Sequence, residues 1–213
     1  MPDPVKRRYR SPRRTEQAAL TRAQLREAAA DLFLGRGFAA TTMRAVAQRA
    51  GVGERTLYDA FPTKVALFEH VVGVAIVGDE QPVAAADRPE LAAALAATRD
   101  GREAVRLFTG WSADLLERAG ALIMVAVESA GADPAMRRFA DDGARQTRVT
   151  TAAFVRGLVA HGVLDADREA EAAATTFALC SPHVHQLLRR EAGRTETQYR
   201  EWLDRELAGA LLE

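Results

Sequence analysis

Thr41 to Lys64 reads TTMRAVAQRAGVGERTLYDAFPTK, and the reading of the whole chain turns on it. Met43, Val46, Ala47 and Ala50 recur at i, i+3, i+4 and i+7, the single apolar stripe of a short amphipathic helix, with Arg44, Gln48 and Arg49 on its other faces. Thr42 is placed to cap that helix. Gly51 follows where the chain needs a positive φ, and Val52 plugs the turn. A second helix starts at Gly53 and buries Leu57 and Phe61 four residues apart, leaving Arg55, Thr56, Tyr58 and Asp59 outward. Two short helices joined by a glycine turn form a helix-turn-helix, whose second helix enters the major groove of a duplex.

Working outward, Leu25, Ala28, Ala29, Leu32 and Phe33 mark a helix from about Glu16 to Leu34, ended by Gly35 and Gly37, with Phe38 capping a small core. Thr63 caps a further helix whose stripe is Val65, Phe68, Val72 and Ile76, closed by Gly78 and Pro82. Residues 1 to 14, with Lys6, Arg7, Arg8, Arg10, Arg13 and Arg14 around Pro12, read as a disordered basic arm. Such an arm either solubilises or clamps phosphates beside the helix-turn-helix.

At these residues the chain resembles the tetracycline-repressor (TetR) family of bacterial transcriptional regulators. The resemblance lies in AVAQRAGVGERTLYDAFPTKVALF preceded by AAADLFLGRGFAATT, within residues 15 to 70. Its anchors are Leu32-Phe33, Gly37, Thr41-Thr42, Ala50-Gly51-Val52, Thr56-Leu57-Tyr58, Phe61 and Lys64. The chain departs from the family at Gly53, usually serine, at Arg55, often glycine, and at Ala60, often histidine or tyrosine. Glycine remains an acceptable N-cap, so the departures bear on the operator read, not on the motif.

The resemblance implies an all-α fold: a three-helix DNA-binding domain over 15–62, then a helical regulatory and dimerisation domain over 63–213 with a linking helix at about 63–78. It implies a homodimer on a palindromic double-stranded operator, released by a small-molecule effector, in the bacterial cytoplasm at the nucleoid. Chemistry and the family pattern together give the DNA-binding set Thr42, Arg44, Gly53, Glu54, Arg55, Thr56, Tyr58 and Lys64. Arg55 suits bidentate reading of guanine O6 and N7, and Glu54 suits cytosine N4 or the helix N-terminus. Thr42, Tyr58 and Lys64 match phosphate contacts of the family, Thr56 suits base or backbone, and Arg44 is a basic neighbour.

Composition fits this picture. Of 213 residues 48% are hydrophobic and 6% aromatic, a bias toward helix formers over strand formers, enough for a core. Net charge is zero, yet residues 1 to 64 hold 13 Lys and Arg against 6 Asp and Glu, and the remainder 16 against 23. Phosphates attract the first part irrespective of sequence. A single cysteine, Cys180, rules out an internal disulfide. The longest apolar run, Ala121 to Val127, is too short to span a bilayer, so no membrane partner is expected.

Beyond the connection DEQPVAAADR at 79 to 88, periodic segments at about 89–99, 102–119, 120–131, 134–161, 167–190 and 195–212 read as a bundle of about six helices. Trp111, Met124, Glu128, Phe154, Phe177 and His183 are its candidate effector-pocket residues. Phe177, Val184, Leu187 and Leu188, with Tyr199, Trp202, Leu203, Leu207 and Leu211, either close the subunit core or, by the resemblance, form a two-fold interface over about 167–212. Cys180, His183 and His185 have metal-like spacing, but a helix begun at Pro182 puts the two histidines about 200° apart, so no metal or cofactor is expected. No catalytic motif emerges and the chain is read as no enzyme. A ligand-independent architectural DNA-binding protein and, less favoured, a helical enzyme are the alternatives.

Overall fold

The computed structural model describes residues 12–78 and 89–213, and every regular element in them is helical. The chain divides into two compact units, Met1–Val71 and Val72–Glu213. Among the described residues no single helix is long and apolar enough to cross a membrane.

The first unit holds α1 (Pro12–Ala40), α2 (Met43–Ala50), α3 (Glu54–Ala60) and the start of α4 (Lys64–Val77). Pro12, Arg13 and Arg14, expected within a basic arm over 1 to 14, belong to α1; residues 1–11, like the connection expected at 79–88, lie outside the described residues. Proline is at home in a first helical turn, where its missing N–H would have no partner. Gly37, at φ 76° and ψ 173°, breaks the helical path, and a last turn of Phe38 to Ala40 follows it. The buried Thr41 hydroxyl closes this corner, lying 2.8 Å from the Gly37 carbonyl and 3.1 Å from that of Leu32. Phe33, Phe38 and Phe68 meet around it, with ring centroids 5.0 to 5.8 Å apart. Leu25, Val46, Leu57, Phe61 and Leu67 complete the core.

The second unit holds the end of α4, then α5 (Pro89–Ala97), α6 (Gly101–Ser129), α7 (Pro134–Ala160), α8 (Glu169–Leu179), α9 (Pro182–Gln186), a π-helical turn at Leu187–Glu191 and α10 (Glu196–Leu212). Its starts are capped by side chains close in sequence: Asp100 for α6, Asp133 ahead of Pro134 for α7, Ser181 ahead of Pro182 for α9, and a Thr195–Gln198 capping box for α10. Two expected boundaries fall elsewhere. Gly120 does not divide α6, which runs through it, and the segment expected over 167–190 breaks at Cys180-Ser181.

Gly120 is there for closeness. A Cβ at that position would lie 3.0 Å from His185 Nδ1, so α6 and α9 touch where the side chain is missing. Beside it Glu117 gathers two partners, Arg189 through Nε at 2.5 Å and Nη2 at 3.1 Å, and His185 Nε2 at 3.0 Å. These bonds clamp α9 and the π turn onto α6.

On α10 the apolar stripe Tyr199, Leu203, Leu207 and Leu211 is wholly buried within the subunit, together with Val105, Phe108, Phe154 and Leu158. Those four α10 side chains therefore close the monomer core and are not available to a partner.

Candidate DNA-reading surface and ligand cavity

The reading surface is built by caps and small residues. Thr42 accepts a hydrogen bond from Ala45 N–H at 3.1 Å and starts α2; caps of this kind are worth about 1 kcal/mol. Gly51, at φ 67°, ends α2, with its own N–H bonded to the Gln48 carbonyl and that of Val52 to the Ala47 carbonyl. That pairing turns the chain within two residues. Gly53 then begins α3 with no side-chain cap, so Glu54 in its first turn supplies the favourable negative charge. Leu57 is fully buried and Phe61 nearly so, which fixes the opposite face of α3 outward. Arg55, Thr56 and Asp59 are exposed and Tyr58 is 49% exposed.

Arg44 and Glu54 face each other at 3.7 Å, both largely in solvent. Exposed pairs contribute at most about 1 kcal/mol, so this one can open for a phosphate or a base edge. A shorter bridge, Arg49 to Asp31 at 2.6 Å, fastens α2 to α1.

Lys64 has partners that its sequence position does not announce. Its ammonium donates to the carbonyls of Phe38 at 2.8 Å, Thr41 at 3.0 Å and Ala39 at 3.4 Å, and lies 4.2 Å from the centre of the Phe38 ring. A cation placed at the start of a helix needs compensation, and here the carbonyls closing the α1 corner provide it. Lys64 thereby holds the turn that carries Thr42.

The second unit holds a cavity of about 610 Å³ that is partly open to solvent. Along α6 its wall is the stripe Phe108, Trp111, Ser112, Leu115, Leu116, Ile123 and Val127; α7 adds Phe139, Thr147, Thr150 and Thr151, α4 adds Gly73, Ile76 and Val77, and Phe177, Cys180, Pro182 and His183 close it. Of the six expected pocket residues, Trp111, Phe177 and His183 are on this wall. Met124 and Glu128 are not, because Ile123 and Val127 take the cavity face and the next position on a helix is rotated by about 100°. Glu128 instead accepts from Gln186 at 3.4 Å. Phe154 stands one layer back, stacked on Phe108 at 4.1 Å.

Sequence reasoning missed the α4 end and the threonines. The available signal was Thr147, Thr150 and Thr151 at i, i+3 and i+4, a hydroxyl patch on one helix face. Arg118 of α6 fastens the α4 end, donating to the Ala75 carbonyl at 3.2 Å and that of Ile76 at 3.3 Å. Cys180 lies on the wall with its thiol pushed up to about 11 by burial, against a weaker opposing hydrogen bond from Ser112. His183 and His185 go separate ways, one to the cavity rim and one to Glu117.

The motif and the all-helical chain around it define a helix-turn-helix DNA-binding protein. Comparison with known proteins makes the assignment narrower. Residues 25–71 match the family model for bacterial regulatory proteins, tetR family. No curated protein matches the chain by sequence. Among solved structures it is similar to NalD, the secondary repressor of the MexAB-OprM multidrug efflux pump in Pseudomonas aeruginosa, at 18% identity over 93% of this chain and 98% of that one, with TM-score 0.67. It is similar to the TetR family transcriptional regulator PfmR from Thermus thermophilus at 21% identity over 88% and 96%, TM-score 0.62. A transcriptional regulator from Saccharomonospora viridis, solved in complex with choline, shares 19% identity over 92% and 99%, TM-score 0.67. Residues 25–71 thus match the tetR-family model, and the chain as a whole shares the fold of these transcriptional regulators.

Proposed function

We propose that the protein is a homodimeric repressor that binds a palindromic operator through α3 and leaves it when a small molecule fills the cavity. The observation that carries this reading is the course of α4. It begins at Lys64, tied to the corner beside Thr42, and ends at Ile76 and Val77 in the cavity wall, fastened there by Arg118. A ligand that displaces the α4 end acts on a helix whose other end belongs to the reading motif. In the dimer two copies of α3 must meet successive major grooves about 34 Å apart, a spacing that small helix shifts spoil. Couplings of this kind amount to about 1 to 3 kcal/mol.

On α3, Arg55 reads a guanine edge, Thr56 and Glu54 work beside it, and Thr42, Tyr58 and Arg44 position the backbone with Gly53 allowing close approach. Selection of bound sequences from a random duplex pool tests the reading. An inverted repeat is expected, and Arg55→Ala should lose about 1 to 3 kcal/mol of discrimination against scrambled DNA. Recovery of sequences without two-fold symmetry, or unchanged discrimination in the variant, would overturn it.

A further inference from the structure

The cavity wall restricts the chemistry of what can fill it, a deduction that rests on the cavity being the effector site. Among the described residues no aspartate, glutamate, lysine or arginine contributes to that wall. Ions give up hydration worth several kcal/mol on entering such a site, and nothing there returns it as a counter-charge. His183 lies exposed at the rim, in reach of water, and burial keeps the Cys180 thiol protonated.

Two of the wall's hydroxyls, Thr147 and Thr151, have committed their protons. Thr151 Oγ1 donates to the carbonyls of Thr147 at 3.0 Å and Arg148 at 3.1 Å, and Thr147 Oγ1 to that of Gly143 at 3.0 Å. A hydroxyl so engaged has only lone pairs to offer. At Thr147 and Thr151 the α7 side of the cavity therefore offers acceptors, with Thr150 and the Gln146 amide beside them, while Phe108, Trp111, Phe139 and Phe177 supply flat apolar contact.

We propose that the effector is an uncharged molecule with an apolar, ring-bearing body and one hydrogen-bond donor, a phenol-type hydroxyl or an amide N–H, directed at Thr147 and Thr151. A volume of about 610 Å³ lies within the range for drug-sized ligands. Choline, a cation, meets no anionic group on this wall.

Four probes sharing one body separate the possibilities: para-butylphenol, para-butylanisole, para-butylbenzoate and para-butylphenyl-trimethylammonium. Their affinities are read by calorimetry on the intact protein and by quenching of Trp111 in Trp202→Phe, which leaves it the one tryptophan. The phenol should bind at least about tenfold more tightly than either ion and several-fold more tightly than the anisole, which cannot donate. Thr147→Val with Thr151→Val should close the phenol–anisole gap. Gly143→Leu should weaken both neutral probes, because Gly143 lines the cavity and has room for a larger side chain, with nothing within 4 Å of a Cβ there. An ion that binds as well as the phenol, an anisole that equals it, or no binding by any probe overturns the proposal. Tight phenol binding that leaves operator affinity unchanged would instead refute the effector reading and leave the ligand chemistry standing.

Discussion

Lys64 and Arg55 are both cations on the reading motif, and their surroundings give them opposite work. Arg55 projects from the exposed face of α3, whereas Lys64 is consumed by three carbonyls of the α1 corner. Substituting Lys64→Met leaves those carbonyls without their cation, and hydrogen bonds to charged groups contribute about 1.5 to 3 kcal/mol each. The variant should unfold at lower denaturant, with the salt dependence of DNA affinity nearly unchanged. A fall of about one in the slope of log affinity against log salt would return Lys64 to the phosphate contacts. From sequence alone Lys64 carried only its family role, because the partners that claim it sit 23 to 26 residues away as carbonyls, which no side-chain pattern announces.

Helix starts were legible because capping is local. Thr42, with its acceptor oxygen three residues ahead of Ala45 N–H, and Thr63, doing the same for Ala66, mark α2 and α4 directly in the sequence. Gly120 misled for the converse reason: a glycine inside a helix looks like a stop, and its partner His185 lies far along the chain. The break at Cys180-Ser181 had a local sign, serine then proline, masked by apolar periodicity continuing on both sides. At this scale the clamp between α6 and α9 has a pH signature. Burial alone would raise the Glu117 carboxyl, but bonds to Arg189 and His185 outweigh it and hold it below its usual value, while burial holds His185 below its ordinary 6.5. Both groups have depressed folded-state values, so both stabilise the fold above the unfolded values and lose that contribution as pH falls. Chemical denaturation should show stability declining from about pH 6.5 through the carboxylate range, and Glu117→Gln should flatten the lower part of that decline. A profile unchanged by the substitution would remove the clamp as its cause.

For the molecule as a whole, the arithmetic of apolar surface limits where two copies can meet. The α10 stripe is spent inside the subunit, which leaves on the proposed 167–212 face the exposed Ala170, Ala174 and Ala178 of α8, with Leu187 at 52% exposure. Small residues let helices approach closely, so Ala174→Arg should give a folded monomer by sedimentation with operator affinity much reduced. A dimer of unchanged strength would move the interface elsewhere. Cys180 adds a different consequence. As the chain's single cysteine, 4% exposed and with its thiol held protonated to about 11, it is inert while the bundle is closed. Thiolate is the reactive form, so an alkylating reagent consumes it only during the moments when the packing parts. The protein thereby carries an internal clock: the rate at which its one thiol is labelled counts the openings of the helical wall, and any molecule lodged against that wall slows the count.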